Sequence, residues 1–239
     1  MKKYLIACVL AFVLCSCAKS LVRIKSNLVN KIYRIQKFSN GSKDVAFIGV
    51  MHINQPDYYK RIKQDIDSLR ASGYTIMYEG IAIDTTMEKE KLEVIQKKLR
   101  KIIGIHLTAY LDSTNNDTKK FRVKGMIDQT PENTGLRVDV DIRADLSLDS
   151  LIYFYEQNRG PIVLDECDLN TKLGQKYKCG KVDRAKQNYL LLTLRDQYLI
   201  DKILKSKSNQ IALLYGNRHS LHFLKNLNVA DSTWKRVYQ

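Results

Sequence analysis

The stretch from Val45 to Glu79, VAFIGVMHINQPDYYKRIKQDIDSLRASGYTIMYE, constrains the fold more than any other part of the chain. Val45 to Val50 is an unbroken apolar run of strand length, the pattern of a strand covered on both faces. It leads into Gly49-Val50-Met51-His52. Pro56 then opens a helical pattern in which Tyr58, Ile62, Ile66 and Leu69 recur at steps of three and four, and Gly73 closes it. Tyr74 to Tyr78 is a second apolar run, ending at Glu79 and Gly80. A helical crossover makes the two strands parallel, so their carboxyl ends point the same way. His52 and Glu79 therefore fall on one rim of the sheet, where open α/β sheets carry their ligands.

The same grammar returns near the end of the chain. Ile211 to Tyr215 is a third apolar run, followed by Gly216-Asn217-Arg218-His219 and a short helix from Ser220 to Leu227. The expected fold is α/β, a mixed central sheet flanked by helices, with two Gly-x-x-His motifs at strand carboxyl ends. Glu88 to Gly104 reads as an amphipathic packing helix with His106 just beyond it, Asp112 to Lys120 as a surface loop, Phe121 to Ile127 as a short strand and Gln129 to Gly135 as a polar loop. Arg137 to Ile142 alternates apolar and polar residues with period two, which predicts a half-buried strand or extended segment with Asp139 and Asp141 on one side. Leu151 to Gln157 is helical, Asp165 to Gly180 is a cysteine-bounded polar excursion, and Asp183 to Ser206 is the longest helical pattern. Ahead of the organising unit, Lys31 to Phe38 is a first edge strand or a short helix. Within the long helix, Arg195 has apolar neighbours on several sides. Such an arginine either meets a buried carboxylate or snorkels to solvent beside Asp196.

The first sixteen residues stand apart from the fold. Lys2 and Lys3 precede an apolar core, Tyr4 to Leu14, too short to span as a mature helix, and Leu14-Cys15-Ser16-Cys17 resembles a bacterial lipobox. This divides the chain into a lipoprotein signal peptide (1–16), an anchor and basic linker (17–40) and an α/β domain (41–239). A lipidated Cys17 would hold the protein on a membrane, each buried acyl methylene contributing about 0.8 kcal/mol. Ala18 lacks the aspartate that marks inner-membrane retention, so the expected place is the outer membrane, facing the periplasm. Loss of Lys2 and Lys3 takes the formal net charge from +15 to +13. The cations after the anchor suit anionic headgroups or a solvated face. With no RNA-recognition or helix-turn-helix signature beside them, nucleic acid is not an expected partner. Cys8 and Cys15 leave with the signal, and Cys167 and Cys179 remain for a disulfide worth on the order of 2–3 kcal/mol.

Two imidazoles and a carboxylate on one rim, His52, His219 and Glu79, are the donor set of a catalytic divalent metal. The glycine of each motif would let the chain turn off the sheet and fold its histidine back. Against this stands a structural arrangement, in which both histidines bond to the backbone and Glu79 pairs with Arg195 or Arg218. Asn54 and Asn217 are candidate hydrogen-bond partners of a substrate. His222 reads as a helix-face residue.

The segments VAFIGVMH, IMYEG, TLRDQYLIDKIL and IALLYGNRHSLHFL resemble the TraB/GumN family, related to the Tiki proteins and more distantly to the ChaN and erythromycin-esterase group. The likeness covers Val45 to Glu79 and Asp183 to Leu227, and departs at Ser220 to Phe223, where many members have a glycine. It implies a mixed α/β sheet and, for the Tiki branch, divalent-metal-dependent peptide hydrolysis. His52, Glu79 and His219 would hold Mn, Co or Zn, with Glu79 as ligand or general base and Arg195 or Arg218 orienting it or stabilising an oxyanion. The substrate would be a peptide or a small acyl compound. A second expectation is a binding lipoprotein without turnover, holding haem or another ligand as ChaN does.

Overall fold

The computed structural model describes residues 33–105 and 123–238, together with Ile24, Ser26 and Asn30. The signal peptide, Cys17, His106 and the Asp112 to Lys120 loop lie outside the described residues.

In chain order the strands are β1 (Gln36–Ser39), β2 (Asp44–Val50), β3 (Ile53–Asn54), β4 (Thr75–Tyr78), β5 (Ile127–Asp128), β6 (Ile142–Arg143), β7 (Gln210–Gly216) and β8 (Lys235–Val237). The helices are α1 (Pro56–Ala71), α2 (Lys89–Ile103), α3 (Pro131–Thr134), α4 (Leu148–Arg159), α5 (Glu166–Asn170), α6 (Arg184–Asn188), α7 (Leu194–Lys205) and α8 (Phe223–Ala230). A π-helical turn, Tyr189–Thr193, joins α6 to α7, and a 3-10 turn, His219–Leu221, precedes α8. The protein is mixed α/β. Its six-stranded sheet has the order β6-β4-β7-β2-β1-β8, with β6, β4, β7 and β2 parallel and β1 antiparallel to both its neighbours.

The apolar runs become strands because both faces are covered. In β2, Val45 and Phe47 meet one layer, where Leu199 and Ile203 of α7 and Phe223 and Leu227 of α8 pack. Ala46, Ile48 and Val50 meet the other, formed by Tyr58, Tyr59, Ile62, Ile66 and Leu69 of α1. Full burial of such side chains contributes about 1.5–3 kcal/mol each, which fixes the register of the central strands. A third cluster, from α2, α4 and the π turn, packs Leu99, Ile103, Leu148, Leu151 and Leu190 together.

Three local expectations are corrected. β1 is not an edge strand, because β8 pairs outside it, and it begins before residue 41, inside the segment assigned to the linker. Gln129 to Gly135 is not all loop: Thr130 caps the single turn α3 through a capping box, and Gly135 ends it with φ +75°. Arg137 to Ile142 is a turn rather than a strand, and only Ile142–Arg143 pairs with β4. Asp141 folds inward to accept hydrogen bonds from the Arg137 amide (2.7 Å) and from Arg70 (2.8 Å). Val138 and Val140, 54% and 70% exposed, are left in solvent.

Candidate functional site

Four parallel strands bring their carboxyl ends to one rim. Val50 of β2 sits opposite Gly216 of β7, and the Glu79 amide, one residue past β4, donates to Leu214 of β7 (3.0 Å). Three neighbouring strand ends thus supply His52, Glu79 and Gly216 to His219.

Glu79 is the hub. Its Oε1 accepts from Arg195 Nη2 (2.6 Å), and its Oε2 from the Gly216 amide (2.5 Å). Arg195 in turn holds Asp145, donating from Nε (3.0 Å) and Nη2 (2.5 Å), while the amides of Gly80 and Leu146 also donate to that carboxylate. His219 approaches from the other side, with Nε2 3.6 Å from Glu79 Oε1 and Nδ1 hydrogen-bonded to Asp196, whose second oxygen accepts from Asn226 (3.1 Å). The result is one chain of charges, Asp145–Arg195–Glu79–His219–Asp196. Asp145, Arg195, Asp196 and His219 are all buried.

The electrostatics follow from those contacts. Burial opposes ionisation of Glu79, but the hydrogen bond with His219 and the charges of Arg195, His219 and His52 outweigh it, holding the carboxyl well below its usual range. For His219, burial works against the imidazolium, and the hydrogen bonds to Asp196 and Glu79 prevail and raise its pKa above the ordinary histidine value.

The glycines of the two motifs serve close approach. A Cβ on Gly216 would stand 2.8 Å from Glu79 Oε2, and one on Gly49 would stand 2.6 Å from Asn217 Oδ1. Asn217 stays half-buried on the rim, tied by its amide to Val50 (2.8 Å). Tyr58 and Tyr59 of α1 donate to the carbonyls of Gly49 (3.0 Å) and Met51 (2.7 Å), fixing the segment that leads to His52.

His52 itself is exposed. The small ladder of β3 with β5 brings Gln129 beside it: the Gln129 amide donates to the His52 carbonyl (2.8 Å), and Gln129 Oε1 stands 3.0 Å from His52 Nδ1. An amide oxygen only accepts, so this contact puts a proton on Nδ1 and leaves Nε2 as the ring nitrogen not engaged by Gln129.

The assignments of Asn54 and Arg218 are corrected by these contacts. Asn54 is wholly buried: its Oδ1 accepts from the Ser26 hydroxyl and from the Gln55 amide, and its Nδ2 donates to Asn30, so it is structural rather than open to substrate. Arg218 is exposed and donates to Asn188 (3.0 Å), leaving Glu79 to Arg195. Asp139 is exposed and Asp141 is held by Arg70, so neither joins the rim. His222 is exposed at the start of α8. The donor set for a divalent ion is incomplete. Only His219 Nε2 and Glu79 Oε1 face one another, Glu79 is already neutralised by Arg195, and His52 is turned to Gln129. Among the described residues no three His, Cys, Asp or Glu side chains stand together as a metal site. The residues as arranged do not fit the ion.

Cys167 and Cys179 form a disulfide that closes the excursion after α4, away from the rim. Asp145 and Gln129 carry no mark in the sequence. Asp145 follows a two-residue strand with no periodicity to distinguish it, whereas Asp196 stands next to Arg195 in an Arg-Asp pair, the one signal that could have marked it as the partner of a rim histidine. Among the described residues no helix is long and apolar enough to cross a membrane. Comparisons with protein-family models, with curated proteins and with solved structures found no match to the chain.

Proposed function

We propose that this chain is a lipid-anchored hydrolase of acyl bonds, peptide or ester, whose reacting centre is the rim at His52, Glu79 and Asn217. The supporting observation is the largely buried chain of five ionisable groups whose middle carboxylate, Glu79, feels the charge of the exposed His52. Burying an ion costs several kcal/mol even after relaxation, and apolar residues would close a sheet rim at less cost, so a cluster of this kind points to chemistry. The resemblance to the TraB/GumN family supports the same reading.

Imidazole is the side chain suited to accept a proton near neutral pH. His52 Nε2, freed by the Nδ1–H bond to Gln129, takes a proton from a water as that water attacks the acyl carbon. The tetrahedral adduct then collapses, the acyl C–N or C–O bond breaks, and the imidazolium returns the proton to the leaving amine or alkoxide. Glu79 is too weak a base for that step, since its carboxyl is held well below the usual range. Its negative charge stabilises the imidazolium that forms on His52. Arg195 and His219 keep Glu79 ionised and in place, and Asp145 and Asp196 hold those two cations. Asn217, half-buried on the same rim, is the candidate to donate a hydrogen bond to substrate. The divalent ion implied by the resemblance is assigned no role, because two facing donors do not make its site.

The test is a hydrolysis screen with peptide and ester libraries, run with chelator and with added Mn, Co or Zn. Turnover that survives chelation and falls by about 10²–10⁴ in His52→Ala supports the proposal. Turnover abolished by chelator and restored by one metal would make His52, Glu79 and His219 ligands instead. A folded protein with no turnover on any substrate would leave the binding-lipoprotein reading.

A further inference from the structure

A cleft of about 260 Å³ opens at the carboxyl end of α4, walled by the turn after that helix, the end of α2 and the disulfide loop. Asp145 stands just before α4 begins, and the twelve residues of the helix span about 18 Å, so cleft and rim lie at its opposite ends. Cys179 is part of the wall, and its bond to Cys167 ties that wall to α5.

The charges lining the cleft are unbalanced. Arg159, Lys181 and Lys186 line it, and none of them has an ion pair among the described residues; Arg159 stacks 4.0 Å from the centroid of the Tyr189 ring. Lys101, the fourth cation of the wall, is taken by Asp165 and Asp168. Among the described residues the carboxylate lining the cleft is Asp183, which accepts from the amides of Ala185 and Lys186 as the cap of α6. Three cations with no ion pair among the described residues, set around one concavity, repel each other, and low-dielectric walls focus their field on whatever enters. The rest of the wall mixes the tyrosines Tyr155 and Tyr177 with the apolar side chains Ile102, Pro161, Ile162 and Val163. Ile162 is buried there, and Val163 is 71% exposed. The volume has room for about eight waters, or for an anion the size of phenyl phosphate.

We propose that this cleft binds a small organic anion, a phosphate or carboxylate group carried on an apolar body. The anion lies among Arg159, Lys181 and Lys186, and its apolar part covers Ile162 and Val163. The site is independent of the rim and of any reaction there.

Titration calorimetry on the full chain decides it, with phenyl phosphate, phenylacetate, inorganic phosphate and benzyl alcohol as probes. One of the two aromatic anions is expected to bind one-to-one, at least about tenfold tighter than the neutral alcohol, and to bind about tenfold more weakly to Lys181→Ala/Lys186→Ala. The better of phenyl phosphate and phenylacetate identifies the anionic group, and weaker binding of inorganic phosphate identifies the apolar half. Both lysines are exposed, so the variant is expected to melt with the wild type, and Lys235→Ala/Arg236→Ala on β8 is the control for net charge. No one-to-one binding of either aromatic anion overturns the proposal, as does equal weakening in the control pair or undiminished binding in the cleft variant.

Discussion

The chain uses one four-residue motif twice and obtains opposite results. Gly49 to His52 ends β2 with an exposed imidazole, and Gly216 to His219 ends β7 with an imidazole that is 3% exposed. The glycine, the spacing and the preceding strand are alike, but the succeeding elements differ. After His52 the chain pairs as β3 with β5, and Gln129 holds the ring outward. His219 instead begins a 3-10 turn that sets its ring edge-on to Tyr215, at 5.2 Å between centroids, and against Asp196. A motif read from sequence fixes where a side chain leaves the sheet, and the next element decides whether it becomes a reactive group or a buried brace.

That contrast can be broken from either side. The largest effect is expected for Arg195→Met, which leaves Glu79 and Asp145 as buried charges without their shared cation; the loss is about 3–5 kcal/mol by urea unfolding. His52→Ala, on the exposed side, should stay within about 0.5 kcal/mol of wild type in the same measurement. Equal losses in the two variants would end the distinction between brace and reactive group.

The paired glycines come next. Gly216→Ala drives a Cβ against Glu79, which Arg195 and His219 lock in place, and should cost about 1–3 kcal/mol. At Gly49 the obstacle is the end of the Asn217 side chain, which can rotate away, so Gly49→Ala should cost less. Thermal melts of the two variants side by side check the order.

A third test uses pH. The folded pKa of His219 lies above its unfolded value of about 6.5, so its stabilising contribution is complete below that pH and is lost as pH rises through the folded pKa. Glu79 has the opposite sign: its contribution is complete above its unfolded value of 4.5 and is lost as pH falls through the lowered folded pKa. Urea midpoints measured across this range should therefore be highest between about pH 4.5 and 6.5 as far as this pair is concerned. Asp196→Asn, which removes the carboxylate holding Nδ1, should flatten the alkaline slope, and His52→Ala should leave it unchanged.

The smallest effect is expected at Gln129. Gln129→Ala should change stability by less than about 0.5 kcal/mol, yet release the choice of tautomer at His52. Nitrogen-15 NMR of that ring would report the change, and an unaltered Nδ1–H form would show that Gln129 does not set it.

Much of the architecture was legible because its parallel strands are buried on both faces and therefore unbroken in apolar character: Val45 to Val50, Tyr74 to Tyr78 and Ile211 to Tyr215 all became strands of the sheet. The period of α1 was equally plain. Arg137 to Ile142 misled for a physical reason. Its alternation is that of a strand, but Arg70 draws Asp141 into a turn, so pairing begins only at Ile142. At the site, Glu79 and the two histidines could be placed because strand ends are predictable. The pairing of His219 with Asp196, and of Arg195 with Asp145 across 50 residues, could not, because nothing local records which side chains a helix crossing will bring together.

The strand order carries a consequence for the time course of folding. β7, at residues 210–216, is inserted between β2 and β4, which lie more than a hundred residues earlier in the chain. Until β7 arrives, the inner edges of β2 and β4 have no partner, and Glu79 has neither the Gly216 amide nor His219 beside it. The sheet and the rim chemistry therefore close together as a late step, at the high loop-closure cost that slows topologies built from distant contacts. Any product of synthesis that stops before β7 would carry exposed strand edges, prone to aggregate, and no assembled site.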